Sequence, residues 1–367
     1  MTAKYKQIKQ HIKSKILDGS FQPHQKLNSE YEFVEEFQVS RHTIRQAIGE
    51  LVSEGWLYRN HGVGTFCADR SNMVNNPSRK NIAIITTYIS DYIFPHLIRG
   101  AESYLSDKGY NVMIFSTNNE FEKEKLALEN ILTQQVDGVI IEPTKSAFSN
   151  PNLSYYLNLE NSNIPYVMFH AYYEELDPFS LTLNDEAAGF LITEHLIRRG
   201  HKNIIGAFKN DDTQGIQRMK GFFKAHRKHN CRIDPSLLIT YSTLEKNDKS
   251  VREVGKLLKR NDNKPTGIVA YNDELVIKLL KVLRSHQLSV PDDISILGID
   301  DSHFTEATEI KFSSAKHPKE KLGQDAAKMI VDLIEGRDRE VDSIVYEPEL
   351  VLRNSSKDLT AATTTTI

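Results

Sequence analysis

Residues 39–66 constrain this chain more than any other stretch. Ser40 stands where a helix cap belongs, and Arg41, His42, Thr43 and Arg45 crowd the opening turns that follow. Ile44, Ala47, Ile48 and Leu51 recur at three- and four-residue spacing, which predicts a helix with an apolar stripe turned inward. The polar residues then face outward at the helix N-terminus, the end that a recognition helix presents to the major groove. Gly55 stops the helix, and the run from Trp56 to Phe66, with Gly62 and Gly64 near its tip, reads as a short hairpin. Upstream, Tyr5, Ile8, Ile12, Ile16 and Leu17 mark a first helix. Asn28-Ser29 can cap a second, with Glu30 and Glu32 where the helix dipole favours acids. Three helices and a hairpin describe a winged helix-turn-helix, and its basic, exposed start implies a surface that reads double-stranded DNA.

At 367 residues there is room for two or three units. The net charge is −3, and the first 70 residues carry ten Lys plus Arg against eight Asp plus Glu. DNA binding must therefore rest on where basic side chains sit, since phosphate attraction depends on the face presented. Cys67 and Cys231 are the sole cysteines, which excludes a zinc-finger framework and fits a reducing compartment. There is no apolar signal segment at the N-terminus and no apolar run of about 18 residues, so a cytoplasmic location is expected.

Beyond residue 68 the texture changes twice. Residues 69–80 are polar and aperiodic and read as a linker. From Asn81, apolar runs at 82–85, 112–115, 136–141, 164–169, 204–207, 267–270 and 294–298 alternate with helical patterns. That alternation predicts parallel sheets covered on both faces, in two lobes, over residues 81–355. The low-complexity end, 356–367, reads as a flexible tail.

Four pieces of that second region occur in a telling order. They are Asp185 with Ala188-Gly189 and His195 to His201, then Arg218 with Gly221-Phe222, then Ala270 to Asp273, and last Val290-Pro291 with Ile296 to Asp301. On them, residues 81–353 resemble the LacI-type regulatory domain, a relative of periplasmic sugar-binding proteins. Residues 1–70 resemble the GntR-type winged helix. The join of the two types resembles the repressors of arabinose operons. The implied architecture is an N-terminal winged helix-turn-helix followed by an α/β periplasmic-binding-protein-like domain of two lobes.

The resemblance implies a homodimer that binds a palindromic operator, because a two-fold dimer mirrors its symmetry on DNA. It also implies a small sugar effector, L-arabinose, whose binding releases the DNA. By resemblance Arg41, His42 and Arg45, with Thr43 beside them, are the readers. Glu30 can accept from cytosine N4, and His61 and Gly62 lie at the wing tip against the minor groove or backbone. In the sensor, Tyr92 follows the first strand, Glu142 the third and His170 the fourth, where parallel sheets present ligand residues. By resemblance Arg218, Asn272 and Asp300 contact the effector, and His317 sits on a crossover near the cleft. The LacI group has Asp-Asn where this chain has Asn184-Asp185, so either side chain could face the cleft; Asp185 is taken as the candidate.

Catalytic and cofactor readings find nothing to rest on. There is no Gly-x-Ser-x-Gly elbow, no phosphate loop and no His-Glu-x-x-His pair. His226 and His229 are the nearest to metal-ligand spacing and fall in a basic, solvated run. No enzyme activity, cofactor or metal is expected. Another pentose or small polyol as effector, a solute-binding receptor, and a sugar-processing enzyme fused to a DNA-binding module are the competing readings.

Overall fold

Serine caps set the geometry of the N-terminal unit. In the computed structural model, which describes residues 3–69, 80–90, 92–134, 136–260, 262–337 and 341–360, α1 is Lys4–Leu17, α2 Glu30–Phe37 and α3 Arg41–Ser53. Ser29 closes a capping box with Glu32, and the Ser40 hydroxyl accepts from the Thr43 N–H. Ile44, Ala47, Ile48 and Leu51 are fully buried against Ile8, Ile12, Trp56 and Leu57. Each of the Ile and Leu side chains contributes about 1.5–3 kcal/mol by leaving water. β1 (Leu57–Asn60) and β2 (Gly64–Cys67) pair antiparallel as the wing. Gly62 sits at φ +76° and Gly64 at φ +148°, conformations that glycine adopts without steric cost.

Two six-stranded sheets follow, built on one plan. Lobe 1 begins with β3 (Asn81–Thr86), α4 (Phe94–Asp107), β4 (Asn111–Ser116), α5 (Phe121–Thr133) and β5 (Gly138–Ile141). It continues with α6 (Leu153–Asn161), β6 (Tyr166–Phe169) and β7 (Ser180–Leu183). Lobe 2 opens with α7 (Asp185–Arg198), β8 (Ile204–Lys209), α8 (Thr213–Lys228), β9 (Leu238–Tyr241), α9 (Lys249–Leu257) and β10 (Gly267–Ala270). It adds α10 (Asp273–Ser285), β11 (Ser295–Asp300), α11 (Phe304–Ala307) and β12 (Ser313–Lys316). The chain returns to lobe 1 for α12 (Lys319–Ile334) and β13 (Ile344–Tyr346), then gives β14 (Glu349–Val351) to lobe 2. The strand orders are β13-β7-β6-β5-β3-β4 and β14-β12-β11-β10-β8-β9. In both, the first strand lies between the second and third, so each lobe has a switch point at the carboxyl ends of its strands, where open α/β sheets bind ligands.

The expected two-lobed α/β architecture is thus present, with one difference in direction: β14 runs antiparallel along β12. One boundary also shifts, at the C-terminal end. Of the expected linker 69–80, residues 70–79 lie outside the described residues, as do 361–367 of the expected tail. Residues 356–360 are held rather than free. Arg199 Nη1 donates to the Ser356 carbonyl (3.0 Å), the Lys357 N–H to Ser295 Oγ (2.9 Å), and the Leu359 N–H to the Arg199 carbonyl (2.8 Å). Backbone groups paired in this way extend the fold of lobe 2 past residue 355.

Candidate effector cleft and DNA-reading face

The cleft is assembled from loops at the carboxyl ends of both sheets and encloses a cavity of about 620 Å³. Its lobe 2 wall centres on Arg218, which α8 carries inward at 4% exposure. Nε donates to Asp185 Oδ1 (2.7 Å), Nη1 to the Tyr271 carbonyl (2.8 Å) and Nη2 to Asp300 Oδ1 (3.4 Å). The guanidinium lies over the Tyr271 ring at 4.8 Å. Burial lowers the affinity of Arg218 for its proton, but the two carboxylates outweigh it and hold the group well above its usual value. Burial in turn pushes Asp185 up to about 6 in spite of Arg218. Asn184 is occupied elsewhere: its Oδ1 caps α7 and its Nδ2 donates to Glu347. Asp185, not Asn184, therefore turns into the cleft.

Lobe 1 supplies a second polar cluster. Glu142 Oε2 accepts from Thr86 Oγ1 (2.9 Å), the Thr87 N–H (2.6 Å) and Thr87 Oγ1 (2.7 Å), while Oε1 accepts from His170 Nδ1 (3.2 Å). Burial alone pushes Glu142 up, but these bonds outweigh it and the carboxyl ends below its ordinary value. His317, on the crossover between β12 and α12, stacks edge-on to His170 at 5.0 Å. Desolvation, with His170, Lys319 and Arg218 nearby, drives His317 well below the usual histidine range, so the ring is neutral. Two buried ring nitrogens in this cluster, His170 Nε2 and His317 Nδ1, have no hydrogen-bond partner among the described residues.

Tyr92 joins the two walls. From the loop after β3 its hydroxyl donates to Asp300 Oδ2 (2.5 Å) and accepts from the Asp273 N–H (3.1 Å), and its ring stacks on Phe304. Asn272 lines the cleft, but its Oδ1 caps α10 by accepting from the Leu275 N–H (3.0 Å), which leaves the amide nitrogen for a ligand. The structure thus brings Tyr92, Glu142, His170, Asp185, Arg218, Asn272, Asp300 and His317 around one cavity. Sequence reasoning missed Lys209 and Asp212, an ion pair (2.9 Å) on the same wall, with Asp212 accepting from the Tyr271 hydroxyl (2.7 Å). The available signal was position: Asp212 follows β8 as Glu142 follows β5.

Asp273 is wholly buried beneath the cleft, where it accepts from Ser314 Oγ (2.6 Å) and the Ser302 N–H (2.7 Å). Burial, reinforced by the Asp300 charge, pushes its carboxyl up to about 8 from an ordinary 3.8. Between those values the folded chain binds this proton more tightly than the unfolded chain. Its contribution to stability is full below pH 4 and is lost as pH rises through 8. Asp273→Asn should flatten that decline, so urea midpoints at pH 5 and pH 8.5 should differ less than in the parent chain. An unchanged difference would overturn the assignment.

On the winged helix, the side chains of Arg41 and Arg45 are 68% and 58% exposed, and His42, His61 and Gly62 are exposed too. Both arginine Nε atoms donate to Glu30 Oε2, each at 2.9 Å. Glu30 thus holds the arginines side by side, and any contact it makes with a base competes with them. Thr43 is half-buried, its N–H and hydroxyl turned to Ser40. Among the described residues no three His, Cys, Asp or Glu side chains gather as metal ligands, and no helix is long and apolar enough to cross a membrane.

Comparison with known proteins matches both units. Residues 4–67 match the bacterial regulatory proteins of the gntR family, and residues 193–356 a periplasmic binding protein-like domain. Over 366 residues the chain is 53% identical to a protein of Halalkalibacterium halodurans called arabinose metabolism transcriptional repressor, covering 98% of each chain. A protein of the same name from Geobacillus stearothermophilus is 48% identical over 358 residues, covering 97% of this chain and 98% of that one. Among solved structures, the transcription regulator CcpA of Lactococcus lactis aligns at TM-score 0.66 and 25% identity, over 76% of this chain and 99% of that one. A LacI family regulator from Enterococcus faecium with bound ribose also aligns at TM-score 0.66 and 25% identity, over 76% and 100%.

Proposed function

The chain belongs to the family of arabinose metabolism transcriptional repressors, and from that premise we propose that it holds operator DNA as a homodimer until L-arabinose enters the cleft between its lobes. The observation that carries the effector half is the buried Arg218 fork between Asp185 and Asp300, which lines the same cavity as His170 and His317, each with a ring nitrogen unpartnered among the described residues. A carboxylate, a guanidinium and a neutral imidazole are the donors and acceptors that vicinal hydroxyls need, and the Tyr92 and Phe94 rings add apolar wall. A cytoplasmic location follows from the same reading.

Release requires the sugar to bind the DNA-incompetent arrangement more tightly, by about 1–3 kcal/mol in typical cases. Calorimetric titration with L-arabinose beside D-xylose, D-ribose and D-galactose tests the effector. Selective heat with arabinose is expected. Heat with another sugar only would keep the repressor and replace its ligand.

For DNA, Arg45→Ala should weaken operator binding by roughly 5- to 150-fold, the range of about 1–3 kcal/mol for one bidentate base contact. Anisotropy titrations at two salt concentrations separate the roles. A base reader loses sequence discrimination with little change in salt slope, whereas a phosphate contact lowers the slope by about 1. Parent-like affinity in both would remove Arg45 from the interface.

A further inference from the structure

The winged helix meets the rest of the chain at a second place besides its covalent joint. Glu129, on α5, is 5% exposed. Its Oε1 accepts from Ser14 Oγ (2.6 Å) and the Tyr155 hydroxyl (3.0 Å), and its Oε2 from Gln10 Nε2 (3.1 Å). One turn along, Asn158 Nδ2 donates to the Leu17 carbonyl (2.5 Å), a group that the end of α1 leaves without a helical partner. Gln10 and Ser14 stand two residues round the helix from Ile8 and Ile12, about 200° at 3.6 residues per turn. One face of α1 therefore closes the core of the winged helix while the opposite face seats on lobe 1. The apolar packing is continuous through this seat, running from Ile12 and Leu17 to Leu128, Tyr155 and Leu159.

Three features separate this seat from a passing contact. The acceptor is a buried carboxylate with both oxygens engaged by side chains. Two of its three donors come from α1, so departure of the winged helix leaves Tyr155 alone on it. The seat also leaves the reading surface free: Arg41, His42, Arg45, His61 and Gly62 all remain exposed. The contact is compatible with DNA binding and fixes the direction in which the recognition helix points.

We propose that the Gln10–Ser14–Glu129–Tyr155 clamp makes the winged helix and lobe 1 one rigid body, so that movement of lobe 1 against lobe 2 swings the recognition helix directly. This rests on the repressor reading above for its ligand and its DNA. A joint of covalent chain alone limits distance; a seat limits orientation, and orientation is what the spacing of two half-sites detects.

The test uses the full chain with Gln10→Ala and Ser14→Ala together, changes that raise helix propensity and so preserve α1, and with Glu129→Gln as an independent second variant. Spin labels at Ser53→Cys and Glu122→Cys, with Cys67→Ala and Cys231→Ser as background, read the distance between winged helix and lobe 1. A narrow distribution in the parent and a broad one in the variants is expected. With the native cysteines restored, the variants should bind L-arabinose within about 2-fold of the parent. The loss of operator affinity caused by arabinose, typically 5- to 150-fold, should shrink below about 2-fold. Broad distances in the parent, or release that survives in the broadened variants, would overturn the clamp. A parent chain that binds operator but ignores arabinose defeats the effector reading instead, and the distance distributions then decide the clamp by themselves.

Discussion

Arg218→Ala is expected to abolish detectable L-arabinose binding while leaving operator binding intact, giving a repressor that no longer lets go. The guanidinium is the sole cation touching both Asp185 and Asp300 among the described residues. Removing it leaves two buried carboxylates unpaired, and breaking a buried ion pair by deleting one partner costs about 3–5 kcal/mol. Part of that cost appears as a lower urea midpoint for lobe 2. The rest appears as affinity, since the fork proposed to orient the sugar hydroxyls is gone; a loss of more than about 100-fold corresponds to roughly 3 kcal/mol. Arg218→Lys separates the two effects. A lysine restores one charge but not the planar fork that meets Asp185, Asp300 and the Tyr271 carbonyl together. Stability should recover further than binding. Calorimetry, urea unfolding and operator titration on the same two variants check this, and arabinose heat like the parent's in Arg218→Ala would remove Arg218 from the site.

Much of this site was legible before the fold because its residues follow apolar runs. Glu142 and His170 follow, and Asp300 ends, strands whose apolar runs announce themselves, and strand ends face the cleft. What stayed hidden depends on side-chain direction and on polar strands. The choice between Asn184 and Asp185 turns on which residue caps α7, a one-residue matter that no periodicity reports. β12 was missed because Ser313-Ser314-Ala315-Lys316 is not an apolar run. It is a buried strand nonetheless: the Ser314 hydroxyl is bound to Asp273, and the Ser313 N–H to Ser355 Oγ (2.9 Å). That second bond anchors Ser355 on lobe 2, where the held residues 356–360 begin. Lys209 and Asp212 were passed over since an ion pair at i,i+3 reads as a solvated face until the sheet that carries it is known to end in a cavity. Glu129 looked like an ordinary polar position on an amphipathic helix, since nothing near it in sequence shows that α1 arrives there.

Gly189→Ala is expected to cost about 3 kcal/mol or more of lobe 2 stability and to weaken effector binding with it. Each lobe packs two helices so closely that glycine lies at the crossing. A Cβ on Gly189 would stand 2.1 Å from the carbonyl oxygen of Arg218, and one on Gly221 2.1 Å from that of Glu186. Lobe 1 repeats the arrangement, with Gly100 against the Glu320 carbonyl and Gly323 against that of Leu97, again at 2.1 Å. A flexible side chain could yield to a methyl group; a helical carbonyl cannot without moving its helix. Overpacking a core typically costs 1–3 kcal/mol, and a clash with backbone places Gly189→Ala at or above the upper end. The displaced atom belongs to Arg218 itself, so parting α7 from α8 also draws the guanidinium off Asp185, whose helix begins four residues before Gly189. Gly49, on α3, is the control: nothing lies within 4 Å of its Cβ position, and Gly49→Ala should stabilise the winged helix by roughly 0.5–1 kcal/mol. Urea unfolding of both variants, with arabinose calorimetry on the first, gives the contrast. Parent-like stability in Gly189→Ala would mean that the helix pair is free to separate and that the position of Arg218 is not set by this crossing.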